Sequence, residues 1–187
     1  MNNRIKLAMF DLDGTLFDTA LANYFSYRDA CREFVTVTEN IFVAECFGKN
    51  YREFLPQLGV SNEKDIEYVH NKKKEIYPHY FDQIRANDLL FEIARQIKEN
   101  GTFLALVTTA SRKNVLDLLS YFQYQNFFDL LVTQESVEKL KPAPDAFLYA
   151  MDYFGVENKE CMIFEDSEVG IWAAEQCKAT VFKVAMF

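Results

Sequence analysis

The apolar positions fall into short runs whose spacing changes twice along the chain. Leu7-Ala8-Met9-Phe10 is a continuous apolar run closed by the acidic, turn-rich Asp11-Leu12-Asp13-Gly14-Thr15. A run of that length bounded by a turn predicts a buried strand. From Asp18 to about Phe81 the spacing is helical and strand signals are few. Asp18 or Thr19 can cap a helix through Leu21, Tyr24 and Phe25 to about Phe34. Helical spacing returns over Glu39–Phe47, Tyr51–Leu58 and Ser61–Tyr77, where Pro78 is expected to end it because the residue before a proline disfavours the α region. Strands and helices then alternate. Asp88–Asn100 predicts an amphipathic helix facing inward through Leu89, Leu90, Ile93 and Ile97, with Gly101 just past its end. Phe103–Val107 predicts a strand, and Ser111 a cap for a helix bearing Val115, Leu116, Leu118 and Leu119. Leu130–Val132 predicts a strand, Asp145–Phe154 a helix stopped by Gly155, Met162–Phe164 a strand, Ile171–Gln176 a helix, and Val181–Val184 a final strand.

One strand, an all-helical stretch and four more strands separated mostly by helices predict an α/β fold. Alternation of this kind gives a parallel sheet with helices on both faces. The expected layout is a core of residues 1–17 and 84–187, with an inserted helical unit over 18–83.

Composition narrows the function classes. Lys and Arg number 20 against 28 Asp and Glu, a net charge of −8. An acidic surface does not attract phosphate backbones or anionic lipid, so neither nucleic acid nor membrane is an expected partner. No segment approaches the ~18 apolar residues of a membrane span. The run Ile5–Phe10, interrupted by Lys6, is too short for a signal peptide. Cys31, Cys46, Cys161 and Cys177 are widely spaced with no Cys-x-x-Cys, which points to reduced thiols in a cytoplasmic protein rather than a zinc site.

The chemistry lies where strands end. In open α/β sheets ligands sit at the carboxyl ends of strands. Asp11 and Asp13 follow the first strand, Thr108 the second, and Glu165 and Asp166 the fourth, with Lys141 in the loop after the third. Carboxylates meeting in one cleft repel one another, a conflict that a divalent cation removes. An all-oxygen donor set suits Mg²⁺. A metal-held phosphate beside a carboxylate suggests nucleophilic catalysis through an aspartyl phosphate. Asp11 would be the nucleophile, and Asp13 would protonate the leaving alcohol and then activate water. Lys141 and the Thr108 hydroxyl would bind the phosphoryl oxygens. The turn at Gly14 and Thr15, together with Thr109 and Ala110, would offer backbone N–H groups.

These segments resemble the four motifs of the haloacid dehalogenase-like superfamily, in that family's order: Asp11-Leu12-Asp13-Gly14-Thr15-Leu16-Phe17-Asp18, Leu106-Val107-Thr108, Lys141-Pro142-Ala143-Pro144-Asp145 and Phe164-Glu165-Asp166-Ser167. The helical insertion sits where that family carries a C1-type cap. The resemblance implies a Rossmann-like doubly wound parallel sheet and phosphoglycolate phosphatase- or β-phosphoglucomutase-like chemistry. It implies Mg²⁺ held by Asp11, the Asp13 backbone carbonyl and Asp166, with Glu165 as ligand or neighbour. It further implies a small phosphorylated metabolite as substrate and a monomer or homodimer. Asp13 argues against a true dehalogenase, which lacks that carboxylate.

In similar family members a cap loop selects the substrate, which makes Lys49 and Arg52, in Gly48-Lys49-Asn50-Tyr51-Arg52, candidates to meet a substrate anion. Arg28 is a poorer candidate. Lys72-Lys73-Lys74 reads as a solvated helix face, His70 and His79 as structural, and Trp172 as packing against the sheet. The alternative activity is a phosphosugar mutase of the β-phosphoglucomutase type. Against it, Gly48–Arg52 departs from that group's cap loop, and the linker Asp18–Asn23 has no histidine. A phosphoacceptor signalling module would place its aspartate on a mid-chain strand, without an insertion after the first.

Overall fold

A computed structural model describes residues 4–185. The outermost positions of the expected core, 1–3 and 186–187, lie outside the described residues. In chain order the elements are β1 (Leu7–Phe10), β2 (Phe17–Asp18), α1 (Ala20–Cys31), α2 (Glu39–Ile41), a π-helical turn (Phe42–Cys46), α3 (Tyr51–Leu58) and α4 (Glu63–Ile76). A 3₁₀ segment (Tyr77–Gln83), β3 (Arg85–Ala86), α5 (Asp88–Glu99), β4 (Phe103–Val107), α6 (Arg112–Tyr121), β5 (Leu130–Val132), α7 (Asp145–Phe154), β6 (Cys161–Glu165), α8 (Glu168–Gln176) and β7 (Thr180–Lys183) follow. The chain divides into two compact units, one of residues 1–18 and 86–187 and one of Thr19–Arg85.

The first unit is built on a five-stranded sheet in the order β5-β4-β1-β6-β7. Its neighbours pair in parallel. This is the expected α/β architecture. β1 lies in the middle with every residue buried, as a strand covered on both faces requires. On one face Leu7, Met9, Ala105, Val107, Cys161 and Ile163 form a core with Ala146, Phe147, Ala150 and Met151 of α7 and Ala173 and Ala174 of α8. The alternate residues point the other way. There Phe10 and Phe164, opposite each other in register, stack at 4.6 Å.

Three packing expectations are corrected. The buried stripe of α5 is Leu90, Phe91 and Ala94, while Leu89 is 73% exposed. The helix is turned so that the Phe91 ring, stacked on Tyr124 at 3.8 Å, takes the inward position. In α6, Leu116 is likewise exposed. Trp172 does not pack on the sheet and is 67% exposed. The inward side of α8 carries small Ala173 and Ala174, which let the helix approach the strands closely.

The second unit has its own aromatic core, with Tyr27, Phe42 and Phe54 buried together beside Cys31, Cys46, Leu55, Ile66 and Val69. Asn50 and Asn62 cap α3 and α4, their side chains accepting from the N–H groups of Arg52 and Lys64. Thr19 stands at the N-cap of α1 without a side-chain cap bond. The α-helix α4 ends at Ile76, directly before Tyr77-Pro78 as expected, and Pro78 sits at the start of the 3₁₀ segment that follows, where its missing N–H has no partner to lose. Lys73 is not solvated but buried, its ammonium 3.9 Å from the centre of the Tyr77 ring, a cation–π contact. All four cysteines are free and buried.

His70 is structural, as expected, and stacks flat on Tyr51 at 3.6 Å. Its Nδ1 is buried with no hydrogen-bond partner among the described residues. Burial, reinforced by Lys74, Lys73 and Arg52, lowers its pKa from 6.5 to about 4. Between those values the unfolded chain binds a proton that the folded chain refuses, so stability falls as pH drops through the window. His70→Phe keeps the ring stack and removes the titration. On going from about pH 7 to about pH 4.5, the variant is expected to lose about 2 kcal/mol less unfolding free energy than the parent, after discounting for solvent at the ring edge. Denaturant titrations at the two pH values check this, and parallel losses would contradict it.

Candidate active site

The site is assembled at the carboxyl ends of β1, β4 and β6. The Asp11 N–H donates to Phe164 O at 3.0 Å, continuing the ladder one residue past β1 and fixing the direction of the Asp11 side chain. The loop then turns at Gly14, whose φ of +95° lies in the left-handed region that favours glycine. A Cβ there would also stand 2.2 Å from Asp166 Oδ2. Thr15 donates its hydroxyl to Asp166 Oδ1 at 2.7 Å. Asn87 closes the loop from below, its N–H on Leu16 O at 2.8 Å and its Nδ2 on Thr15 O at 3.2 Å.

Lys141 enters from the loop after β5 and is 4% exposed at its side chain. Its ammonium donates to Asp11 Oδ1 at 2.6 Å, Glu165 Oε1 at 2.7 Å and Val107 O at 3.0 Å. An ammonium has three N–H donors, so all are engaged. Glu165, at the end of β6 and 1% exposed, receives the Ser167 N–H at 2.9 Å and the Ser167 hydroxyl at 3.1 Å on Oε2. The Ser167 hydroxyl oxygen also caps α8, accepting from the Gly170 N–H.

Carboxylate oxygens of Asp11, Glu165 and Asp166 all lie within 4.8 Å of one another. Burial pushes the Asp11 carboxyl well above the usual range, Lys141 pulls it down, and Glu165 pushes it up again. Burial also raises Asp166, with Thr15 opposing. Burial works against the Lys141 charge, but Asp11 and Glu165 outweigh it and hold the ammonium protonated. With the acids ionised, three carboxylates and one ammonium leave two uncompensated negative charges. An all-oxygen cluster with that surplus fits a divalent cation.

The structure therefore brings Asp11, Lys141, Glu165 and Asp166 together. Asp13 lies two residues beyond Asp11 and bridges to Phe17. Thr108 is buried directly after β4, its N–H on Val132 O at 3.0 Å. Two expected phosphate donors are already committed: the Gly14 N–H to Phe17 O at 2.8 Å and the Ala110 N–H to Thr108 Oγ1 at 3.0 Å. The tight turns that place these residues also consume their N–H groups. Thr109 is exposed. Lys49 and Arg52 belong to the helical unit, where Lys49 lies 3.6 Å from Glu45 and Arg52 is held by both Glu63 and Glu67. Sequence reasoning missed Thr15 as the hydroxyl on Asp166, and Ser167 and Gly170 as the seat of Glu165. Serine is a residue type that caps helices, as Ser167 does for α8, but its second bond, to Glu165, follows only from the fold.

A parallel α/β sheet with an acidic cluster and a buried lysine at its strand ends can hold a divalent cation beside an anionic ligand. The family model described as "Haloacid dehalogenase-like hydrolase" matches residues 8–184, and the chain belongs to that family. It is 25% identical over 177 residues to a "Phosphorylated carbohydrates phosphatase" of Thermotoga maritima, covering 91% of this chain and 81% of the relative. It is 28% identical over 167 residues to the "Pyrophosphatase PpaX" of Halalkalibacterium halodurans, covering 87% and 75%. The crystal structure of CbbY from Rhodobacter sphaeroides in complex with phosphate superposes with a TM-score of 0.87 at 21% identity, over 98% of this chain and 87% of that one.

Proposed function

We propose that the protein is a Mg²⁺-dependent phosphatase that hydrolyses a small phosphomonoester through an aspartyl phosphate on Asp11. The observation that carries this reading is the Asp11–Lys141–Glu165 chain of contacts beside Asp166 at the end of the central strand. The phosphatase relatives support it. Asp11 Oδ1 is held by Lys141, while Oδ2 accepts no hydrogen bond among the described residues. That oxygen attacks phosphorus, and the ester P–O bond breaks. Asp13 gives its proton to the departing alkoxide, then takes one from water. The resulting hydroxide attacks the same phosphorus and releases Asp11 and inorganic phosphate. Thr108 and Lys141 bind the phosphoryl oxygens, the ammonium turning one N–H from its present acceptors to the substrate, and the loop from Gly14 to Thr15 with Thr109 and Ala110 lines the same position. Asp11, Asp166 and the Asp13 carbonyl would hold Mg²⁺, with Glu165 adjoining. Bound there, the ion would offset the negative charge of the carboxylates and the substrate.

Phosphate release across a panel of phosphorylated metabolites, with and without Mg²⁺, tests the proposal. Release that is abolished by chelation and restored by Mg²⁺ is expected, and activity surviving full chelation would contradict it. With a hexose 1-phosphate, free phosphate means hydrolase and a 6-phosphate means mutase.

In the same reading the helical unit is the substrate-selecting cap, and Lys49 or Arg52 meets a substrate anion. Lys49→Ala or Arg52→Ala is then expected to raise KM about tenfold with a smaller change in kcat. Steady-state kinetics on the best substrate checks this. Unchanged KM in both variants would remove these residues from the assignment.

A further inference from the structure

We propose that Gly170 is a positioning residue: its bare Cα leaves the space in which the Glu165 carboxylate sits, and Glu165 from that seat holds the Lys141 ammonium against Asp11. The inference rests on the reading of Asp11 as the nucleophile.

Nothing in the backbone calls for glycine at this position. Gly170 lies in the first turn of α8, and its φ is not among the positive values found at Gly14, Gly48, Gly59, Gly101 and Gly155. Alanine is the better helix former. A purely helical role would therefore make Gly170→Ala neutral or stabilising. The reason for glycine is instead steric. A Cβ at position 170 would stand 1.6 Å from Glu165 Oε1 and 2.5 Å from Oε2.

The collision is with the far end of a flexible side chain. It is relieved by swinging the carboxylate away, at the cost of the contacts that end makes. Those contacts are Oε1 with Lys141 at 2.7 Å and Oε2 with Ser167 at 2.9 and 3.1 Å. Ser167 is tied to the same helical turn through the Gly170 N–H at 3.0 Å. The first turn of α8 thus provides Glu165 with both a donor and a vacant face. Lys141, released from Glu165, keeps only Asp11 and Val107 O and loses the partner that sets its direction.

The test is the variant Gly170→Ala, with a metal-free crystal structure, thermal melting and kinetics. The expected structure has the Lys141 Nζ–Glu165 Oε1 contact broken. Melting is expected to fall by several degrees as those buried contacts are lost, while kcat falls about 10–100-fold with little change in KM. A Gly170→Ala protein that keeps the contact, or that turns over at the parental rate, would overturn the proposal. If Gly170→Ala does not fold, Gly170→Ala/Glu165→Ala removes the colliding group and is expected to fold. Failure of that double variant to fold would overturn the proposal too. The crystallographic distance is read without substrate. If the parent protein releases no phosphate from any monoester, the functional reading falls while the positioning claim is still decided.

Discussion

Asp11→Asn is expected to abolish turnover, by at least about 10³-fold in kcat, while the fold stays intact. Asparagine keeps the shape of the side chain but is a far poorer nucleophile. The fold tolerates the change for a reason visible in the electrostatics. Burial pushes the Asp11 carboxyl well above its ordinary range, so the ionised acid is held at a cost that the neutral amide does not incur. Lys141 retains Glu165 and Val107 O as partners, so the substitution strands no buried cation. The melting temperature is therefore expected to stay level or rise. An active Asp11→Asn enzyme, free of deamidated protein, would refute the assignment of the nucleophile.

Lys141→Met is the second large effect, and it strikes stability as well as activity. The side chain is nearly inaccessible and stands between two buried carboxylates. Removing one partner of a buried ion pair costs about 3–5 kcal/mol, because the remaining charge is left uncompensated. Here two acids are left facing each other. Without the ammonium, which pulls the Asp11 carboxyl down, the folded-state pKa of Asp11 rises further above the unfolded one. The stability penalty of the variant is then largest at neutral pH and shrinks as acid protonates Asp11. Denaturant unfolding of parent and variant at about pH 7 and about pH 5 checks the sign. Turnover is expected to fall at least about 10²-fold, since the phosphoryl group loses a fixed positive charge. A variant that melts like the parent at neutral pH would contradict the charge balance described for the site.

Much of this was legible in the residues because the fold and the chemistry share their punctuation. β1, β4, β5, α3 and α7 appear with the bounds their apolar runs and caps imply. The loops that end the strands carry Asp11, Thr108, Lys141, Glu165 and Asp166, so finding the strand ends also found the cluster. Packing orientation was less accessible. Leu89 and Phe91 are both apolar, and only the presence of Tyr124 across the interface decides which turns inward. Trp172 faces outward because Ala173 and Ala174 fit the sheet better than an indole. Lys73 was hidden among neighbouring lysines, and its burial depends on Tyr27 arriving from α1 as well as on Tyr77 at the end of its own helix. Gly170 could not be read at all. Its importance is a matter of what a missing methyl group allows a side chain from the preceding strand to do.

A rapid acid quench of the enzyme turning over a radiolabelled phosphomonoester puts the nucleophile to the most direct trial. A hydroxylamine-sensitive label should appear on the peptide containing Asp11 and vanish in Asp11→Asn. Steady release of phosphate with no label on that peptide, or with the label on another residue, would contradict the mechanism.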